Sequence, residues 1–268
     1  MDLRQSPAWQ KFMQKSGWQV DKFKGGVAYT KKFGPFGSFT KIQRPDQIPP
    51  KDYLRSLAQK YHCWQILIEP SYSITLNGLS KANPYLAPKT IQIKLGEWDE
   101  NKLPKKNRYA IKKAAQYGVS IHTSDRVEQF IDLWKSTKTL ALRQDQEIRS
   151  LYASFARKNR FVCLSLINSI IVAGCLVLIF DKVAYYMYAA TNKKGRATSA
   201  QYLAVVEVIE ESRQRGAKIF DFEGIYDSRY HKQTKSWQGF TRFKKSFGGQ
   251  ELEFPPSYKF NYFWGYFN

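Results

Sequence analysis

The chain has 268 residues, 43% of them hydrophobic and 16% aromatic. That is one large domain or two small ones with ample apolar material for a core, which excludes a disordered tail or a low-complexity scaffold. Lys and Arg number 43 against 22 Asp and Glu, a formal charge of +21, so the expected partners are anionic: nucleic acid, phosphorylated metabolites or an acidic membrane surface.

The opening MDLRQSPAWQKFMQKSGW has no signal-peptide core. Pro7 opens a short helix with Trp9, Phe12 and Met13 on one face and Gly17 at its end. Residues 19–23 and 27–32 read as strands around Gly25-Gly26, and 37–42 continues extended. A helix is expected over 50–61 and a strand over 64–69, stopped by Pro70. Residues 71–88, rich in Asn, Pro and Ser, form a loop that marks a boundary. A strand at 90–95, a basic helix from Pro104 and a strand at 119–122 follow, then helices at 127–140 and 148–158.

Residues 161–180 carry no charge and are long enough to span a bilayer as a helix. They are rich in Val and Ile, however, and broken by Asn168-Ser169, with Asp181-Lys182 behind them. Buried strands joined by tight turns fit better. A helix from Thr198 to Arg215 and a strand at 218–222 complete the pattern. Periodicity alone gives a mixed α/β class. From Gln116 onward the element order resembles the GNAT acyltransferase fold.

Cys63, Cys163 and Cys175 are odd in number, lie among apolar neighbours and show no CxxC spacing. Neither a disulfide framework nor a zinc site is expected, and a reducing cytosol is the natural compartment. His62, His122 and His231 show no triad or metal spacing, so no metal and no cofactor is assigned. Two basic stretches could hold phosphate. Lys105, Lys106, Arg108 and Lys112 crowd one helix, with Lys105, Arg108 and Lys112 on a common face. Lys193, Lys194 and Arg196 surround Gly195 in a loop one position off the Q/R-x-x-G-x-G/A pattern that cradles pyrophosphate in GNAT enzymes. A solvated basic surface is the plain alternative for both.

Residues 220–225 (FDFEGI) and 243–249 (FKKSFGG), together with QSPAW, FGPF, LIEP, KKNRYAIKKAAQYGV and YYMYAA, resemble the Fem family of aminoacyltransferases that build peptidoglycan cross-bridges. The resemblance runs from Gln5 to Gly249. It implies an α+β fold of two GNAT-like domains, with mixed, mostly antiparallel sheets flanked by helices. Residues 1–88 with 250–268 would form an abbreviated first domain and 89–249 the second. It implies aminoacyl-tRNA as donor and a UDP-linked muramyl pentapeptide or lipid-linked peptidoglycan precursor as acceptor. The setting would be cytoplasmic, at the inner face of the membrane or off it, with a monomeric chain and a peripheral membrane contact as a further expectation. The family's usual glycine is replaced by Glu223.

By the same resemblance Lys244 faces the acyl-transfer centre and Phe243 offers its backbone to substrate. Arg149, Tyr152 and, more weakly, Lys11 contact the precursor phosphates. Tyr186 and Tyr188 alternate with Tyr185 and Met187 on a strand, so two of these aromatics face the cleft. Glu69, Asp221 and Glu223 are the carboxylates considered as a base. An acceptor amine with a pKa near 10.4 is only about one part in a few thousand neutral at pH 7, so its proton must be taken, or its pKa lowered. The tetrahedral intermediate also needs a donor or cation for its oxyanion. Two other readings stay open: an acyl-CoA N-acyltransferase using residues 192–197, and a non-catalytic RNA-binding module. The aromatic tail from Pro255 is expected to pack on the first domain, with an interfacial aromatic patch as the alternative.

Overall fold

The structure, a computed structural model, describes residues 1–137 and 144–262. The predicted helix end at Leu140 and the tail beyond Tyr262 lie outside the described residues. The chain packs as two units, Met1–Pro88 with Glu253–Asn268, and Lys89–Leu252.

The first unit opens with α1 (Pro7–Lys15), started by the Ser6 side chain accepting from Trp9 N and by Pro7 in the first turn. The strands β1 (Gln19–Phe23), β2 (Gly26–Lys32), β3 (Ser38–Gln43), β4 (Cys63–Glu69) and β5 (Ser80–Ala82) follow, with helix α2 (Lys51–Tyr61) between β3 and β4. That crossover makes β3 and β4 parallel. Leu54, Leu57 and Ala58 of α2 pack on Ala28, Ile42, Cys63, Ile66 and Ile68, the residues that alternate toward one face of the sheet. The order is β1-β2-β3-β4-β13-β5, where β13 is the C-terminal Ser257–Asn261. The tail therefore enters this sheet as a strand, antiparallel to both β4 and β5. The short β5 arises inside what the sequence reads as a loop.

In the second unit β6 (Lys89–Lys94) leads to α3 (Lys105–Gln116), β7 (Ser120–Ser124), α4 (Val127–Thr137) and α5 (Gln144–Ser154). Helix α5 begins four residues before its expected start at Ile148, and Arg157–Asn159 is a separate 3-10 turn. The apolar run then forms β8 (Arg160–Ile167) and β9 (Ile170–Phe180), followed by β10 (Val183–Thr191). Asn168 and Ser169 both have positive φ (49° and 64°), as do Asp181 and Lys182 (48° and 63°). These two-residue turns twist in the sense that antiparallel strands require. No described helix is long and apolar enough to cross a membrane.

After β10 come α6 (Lys193–Ala197), α7 (Ala200–Gln214), β11 (Ile219–Asp221), α8 (His231–Thr234), α9 (Gln238–Lys245) and β12 (Gln250–Glu253). The sheet order is β12-β6-β11-β10-β9-β8-β7. Cys175, Val177 and Ile179 of β9 join Ala204, Val205, Val208 and Ile209 of α7 in one core. Gly174, facing the other way, leaves room for Phe130 of α4, 3.4 Å from where a Cβ would stand. The central strand is thus covered on both sides, a mixed sheet between helices and an α+β fold.

β10 and β11 are parallel and pair only over Val183–Tyr185 and Ile219–Asp221. Beyond Tyr185, β10 continues with β9 alone as far as Thr191. β11 stops at Asp221, so the sheet opens between these two strands.

The two hairpin turns carry Ser169 and Lys182 where glycine is favoured. Ser169→Gly and Lys182→Gly are each expected to stabilise the protein by about 0.5–1 kcal/mol, read as a rise in the urea midpoint at unchanged m-value.

Candidate active site

Strand β11 alternates Phe220 and Phe222 into the core and Asp221 to the opposite face. Gln92 of β6 lies directly across from Asp221 in the antiparallel register. Its Nε2 donates to Asp221 Oδ2 at 2.8 Å. Thr90 Oγ1 and the Glu223 amide both donate to Asp221 Oδ1. Asp221 is buried, and burial followed by the charge of Glu223 raises its pKa to about 6, against the lowering effect of the Gln92 and Thr90 hydrogen bonds.

These bonds fold the chain sharply after β11. Glu223 takes a left-handed conformation, φ 57°, and Thr90 Oγ1 lies 2.9 Å from its carbonyl oxygen. The flanking carbonyls of Phe222 and Gly224 converge on Lys244, whose Nζ donates to each at 2.7 Å. Phe240, one helical turn earlier on α9, places its ring centroid 4.8 Å from the same nitrogen. Burial lowers the Lys244 pKa to about 8, while Glu223 and Asp221 pull it up. An ammonium has three N–H donors; these two carbonyls take two. The cluster therefore combines an amine titrating near neutrality, a carboxylate titrating above its usual range and a second carboxylate, Glu223, at the end of β11. Such opposed shifts in one place are typical of acid–base chemistry.

Phe243 and Lys244 lie on a helix and not on the extended segment expected. Lys245 still points elsewhere, but through the roughly 100° step of a helix. It ion-pairs with Glu251 and lines a separate cavity of about 610 Å³ with Trp98, Leu103 and Phe247. The Phe243 carbonyl accepts from both the amide and the hydroxyl of Ser246, so it is not offered to a substrate. The Phe243 ring packs edge-on against Tyr202 at 4.9 Å.

Several other expectations are corrected. A register shift between Tyr186 and Tyr188 breaks the alternation along β10. Tyr186 is buried against Phe220 and Phe222 and takes a hydrogen bond from Gln201, and Tyr188 sits edge-on to Trp134 at 5.4 Å. Tyr152 is buried beneath the Arg160 guanidinium. Arg149 is held by Glu128 through two bonds of 2.8 and 2.7 Å and lies 3.8 Å from Asp145, and the Glu128 hydrogen bonds raise its pKa. Glu69 is buried and accepts from Gln43 and from the amides of Tyr85 and Leu86, so it fastens a loop of the first unit. Lys11 is exposed on α1.

Residues 192–197 are not an open loop. Asn192 caps α6 by accepting from the Gly195 amide at 2.9 Å, and Gly195 packs so closely on the Val172 carbonyl that a Cβ would stand 2.2 Å from it. The Gly195 and Arg196 amides close a helical turn onto Asn192, and α7 starts at Ala200, two residues past Thr198. Lys193, Lys194 and Arg196 project into solvent, as do Lys105, Lys106, Arg108 and Lys112 on α3. The small residues Ala114 of α3 and Ala200 of α7 share a cluster with Val172 and Ala173. This brings the C-terminal half of α3 and the α6 turn to neighbouring positions. None of Lys105, Lys106, Arg108, Lys112, Lys193 and Lys194 has an acidic partner among the described residues, and Tyr109 and Tyr117 are exposed between them.

Residues 143–261, which contain β11 and α9, match the sequence model of the FemAB family. This is a FemAB-family region. The fold agrees over nearly the whole chain with the crystal structure of FemX: TM-score 0.76 at 15% identity, covering 97% of this chain and 92% of that one. The C-terminal domain (DUF2156) of a putative lysylphosphatidylglycerol synthetase from Agrobacterium fabrum gives 0.65 at 13% identity, over 96% and 88%. A tandem GNAT protein from the clavulanic acid biosynthesis pathway gives 0.55 at 9% identity, over 91% and 83%. No curated protein matches in sequence. The FemAB match covers both halves of the Lys244 cluster, since Phe222, Gly224 and the lysine all lie within it. Thr90 and Gln92, which orient Asp221, lie outside it and carry no motif; only the sheet register reveals them.

Glu223 occupies a conformation that glycine adopts without strain. Glu223→Gly is expected to keep the fold and to raise stability by roughly 1 kcal/mol or less, measured as the unfolding free energy at pH 7.

Proposed function

We propose that the protein is an aminoacyltransferase that moves an amino acid from aminoacyl-tRNA to the stem-peptide amine of a peptidoglycan precursor. The observation that carries this reading is the Lys244 ammonium seated on the Phe222 and Gly224 carbonyls, beside the opening between β10 and β11, within the FemAB-family region. The acceptor amine attacks the ester carbonyl of the donor. A C–N bond forms, the C–O bond to the terminal ribose breaks, and the amine proton ends on the ribose hydroxyl. Lys244 meets the oxyanion with its remaining N–H and a charge held in a partly dry setting, where it is worth more than in water. Its own bonds to two fixed carbonyls keep it in place before the reaction starts.

The unpaired cations of α3 and α6 suit the donor. They form a basic surface with interleaved tyrosines, a combination that serves phosphate contact and base stacking. The acyl-CoA reading is less favoured, because the Gly195 amide is already taken by the Asn192 side chain. The catalytic reading is tested by transfer from mixed charged tRNAs to UDP-linked and lipid-linked acceptors; no transfer to either overturns it.

In that assay Lys244→Ala is expected to lower kcat by about 10²–10³ with the fold intact, while Lys245→Ala stays close to wild type. Because the Lys244 pKa is lowered to about 8, its charged form is lost as pH rises through that value, and kcat falls on the alkaline side. Lys244→Arg is expected to restore part of the rate and to abolish that alkaline fall, since a guanidinium stays charged. Equal loss in the Lys244 and Lys245 variants would remove the special role of Lys244.

For the basic surface, replacing Lys105, Lys106 and Arg108 with Ala is expected to weaken tRNA binding and to flatten the dependence of log K on log salt by about 2–3. Filter binding across a salt series reads this; an unchanged slope takes α3 out of the interface.

A further inference from the structure

We propose that the β2–β3 corner of the first unit docks on an anionic lipid bilayer. The chain between these strands turns through Gly34-Pro35-Phe36. It leaves Phe36 81% and Phe33 48% exposed, with Trp64 of β4 at 45%. Single exposed aromatics are ordinary on a protein surface; a group of them rimmed by charge is not. The Phe33 and Trp64 ring centroids lie 6.5 Å apart, and Trp64 stacks on Phe39 at 5.5 Å. The corner is rigid. Gly37, φ 82°, lies so close to the His62 carbonyl and the Trp64 ring that no side chain fits there, and the Ser38 amide donates to the same carbonyl.

The surrounding charge is positive. Lys32 is exposed next to Phe33, and both Lys32 and Lys60 reach the ring of Tyr61, at 5.6 and 4.8 Å. Lys31 Nζ binds the Ser16 carbonyl near the end of α1, beside the exposed Lys15. Asp21, which pairs with Lys60, is largely covered. Aromatic side chains prefer the interface between headgroups and acyl chains, and lysines around them are drawn by anionic lipid. The C-terminal chain reaches the same corner, since the Tyr262 amide approaches the Trp64 carbonyl. Charge complementarity with an acidic bilayer, together with this rigid aromatic tip, selects lipid as the occupant.

The inference does not depend on the transferase reading, because vesicle binding needs no turnover. Co-sedimentation of the full chain is compared on vesicles of phosphatidylcholine alone and of phosphatidylcholine mixed with phosphatidylglycerol. Binding to the anionic vesicles is expected, with little to the neutral ones. Phe36→Ser combined with Phe33→Ser should weaken it about tenfold or more, at an unchanged melting temperature because both rings are exposed. Lys32→Glu should weaken it and reduce its salt sensitivity. The proposal is overturned if the wild type ignores anionic vesicles at low salt. It is equally overturned if the double variant binds as tightly as wild type, which would assign the binding to the α3 surface. A wild-type dimer in light scattering that Phe36→Ser dissociates would make a second copy the occupant and overturn it as well.

Discussion

Residues 172–179 of β9 are all buried, so neither face of the strand's middle meets water. One side packs on α7 and the other on α4, so a helix must lie over each face of the central strand. With β8 and β10 joined to β9 by two-residue turns, the order of the middle of the sheet is set, and the next strand can only be added beyond β10. That strand, β11, arrives from the end of α7 and is therefore parallel to β10. It is also short. The gap between the two strands, and the carbonyls just past the strand end that Lys244 binds, follow from a parallel neighbour that stops after three paired residues.

The Lys244 arrangement is a compromise between burial and charge. Desolvation disfavours the ammonium, and two carbonyls with a nearby carboxylate pair hold it. Asp221 experiences the same surroundings in the opposite sense and is held in its bonds by Thr90, Gln92 and the Glu223 amide. A left-handed glutamate is the cost of turning the chain so tightly that two carbonyls one residue apart face a single nitrogen. Basic side chains elsewhere divide into two kinds. Arg149 and Lys60 are held by carboxylates, whereas the row on α3 and α6 has none among the described residues and is left open to a polyanion.

Much of this is legible in the sequence. The uncharged run at 161–180 betrays its strands through Asn168-Ser169 and Asp181-Lys182, because turn residues at that spacing have no place in a membrane helix. The basic helix shows in the spacing of Lys105, Arg108 and Lys112. Other features leave no trace. A bulge at Met187 adds one residue to a strand and so puts Tyr186 and Tyr188 on opposite faces without altering composition. Helix α9 is hidden by its aromatics and flanking glycines, which read as extended. Arg149 carries the residue type expected of a phosphate contact, but Glu128, twenty-one residues earlier, reaches it only after α4 and α5 have folded against each other. Lys244 could be named from its motif; its acceptors could not, because backbone carbonyls have no letter in the sequence.

The position of β13 has a consequence for synthesis. Residues 257–261 fill the slot between β4 and β5, yet they leave the ribosome after every residue of the second unit. That unit is one continuous segment and can fold while translation proceeds. The first unit must instead wait, with the inner edge of β4 unpaired, for a strand encoded almost two hundred residues downstream. An open edge held that long invites pairing with another chain. The nascent protein is thus most prone to aggregate after its larger half is already native, and a ribosome stalled shortly before Ser257 leaves a half-finished sheet beside a complete one.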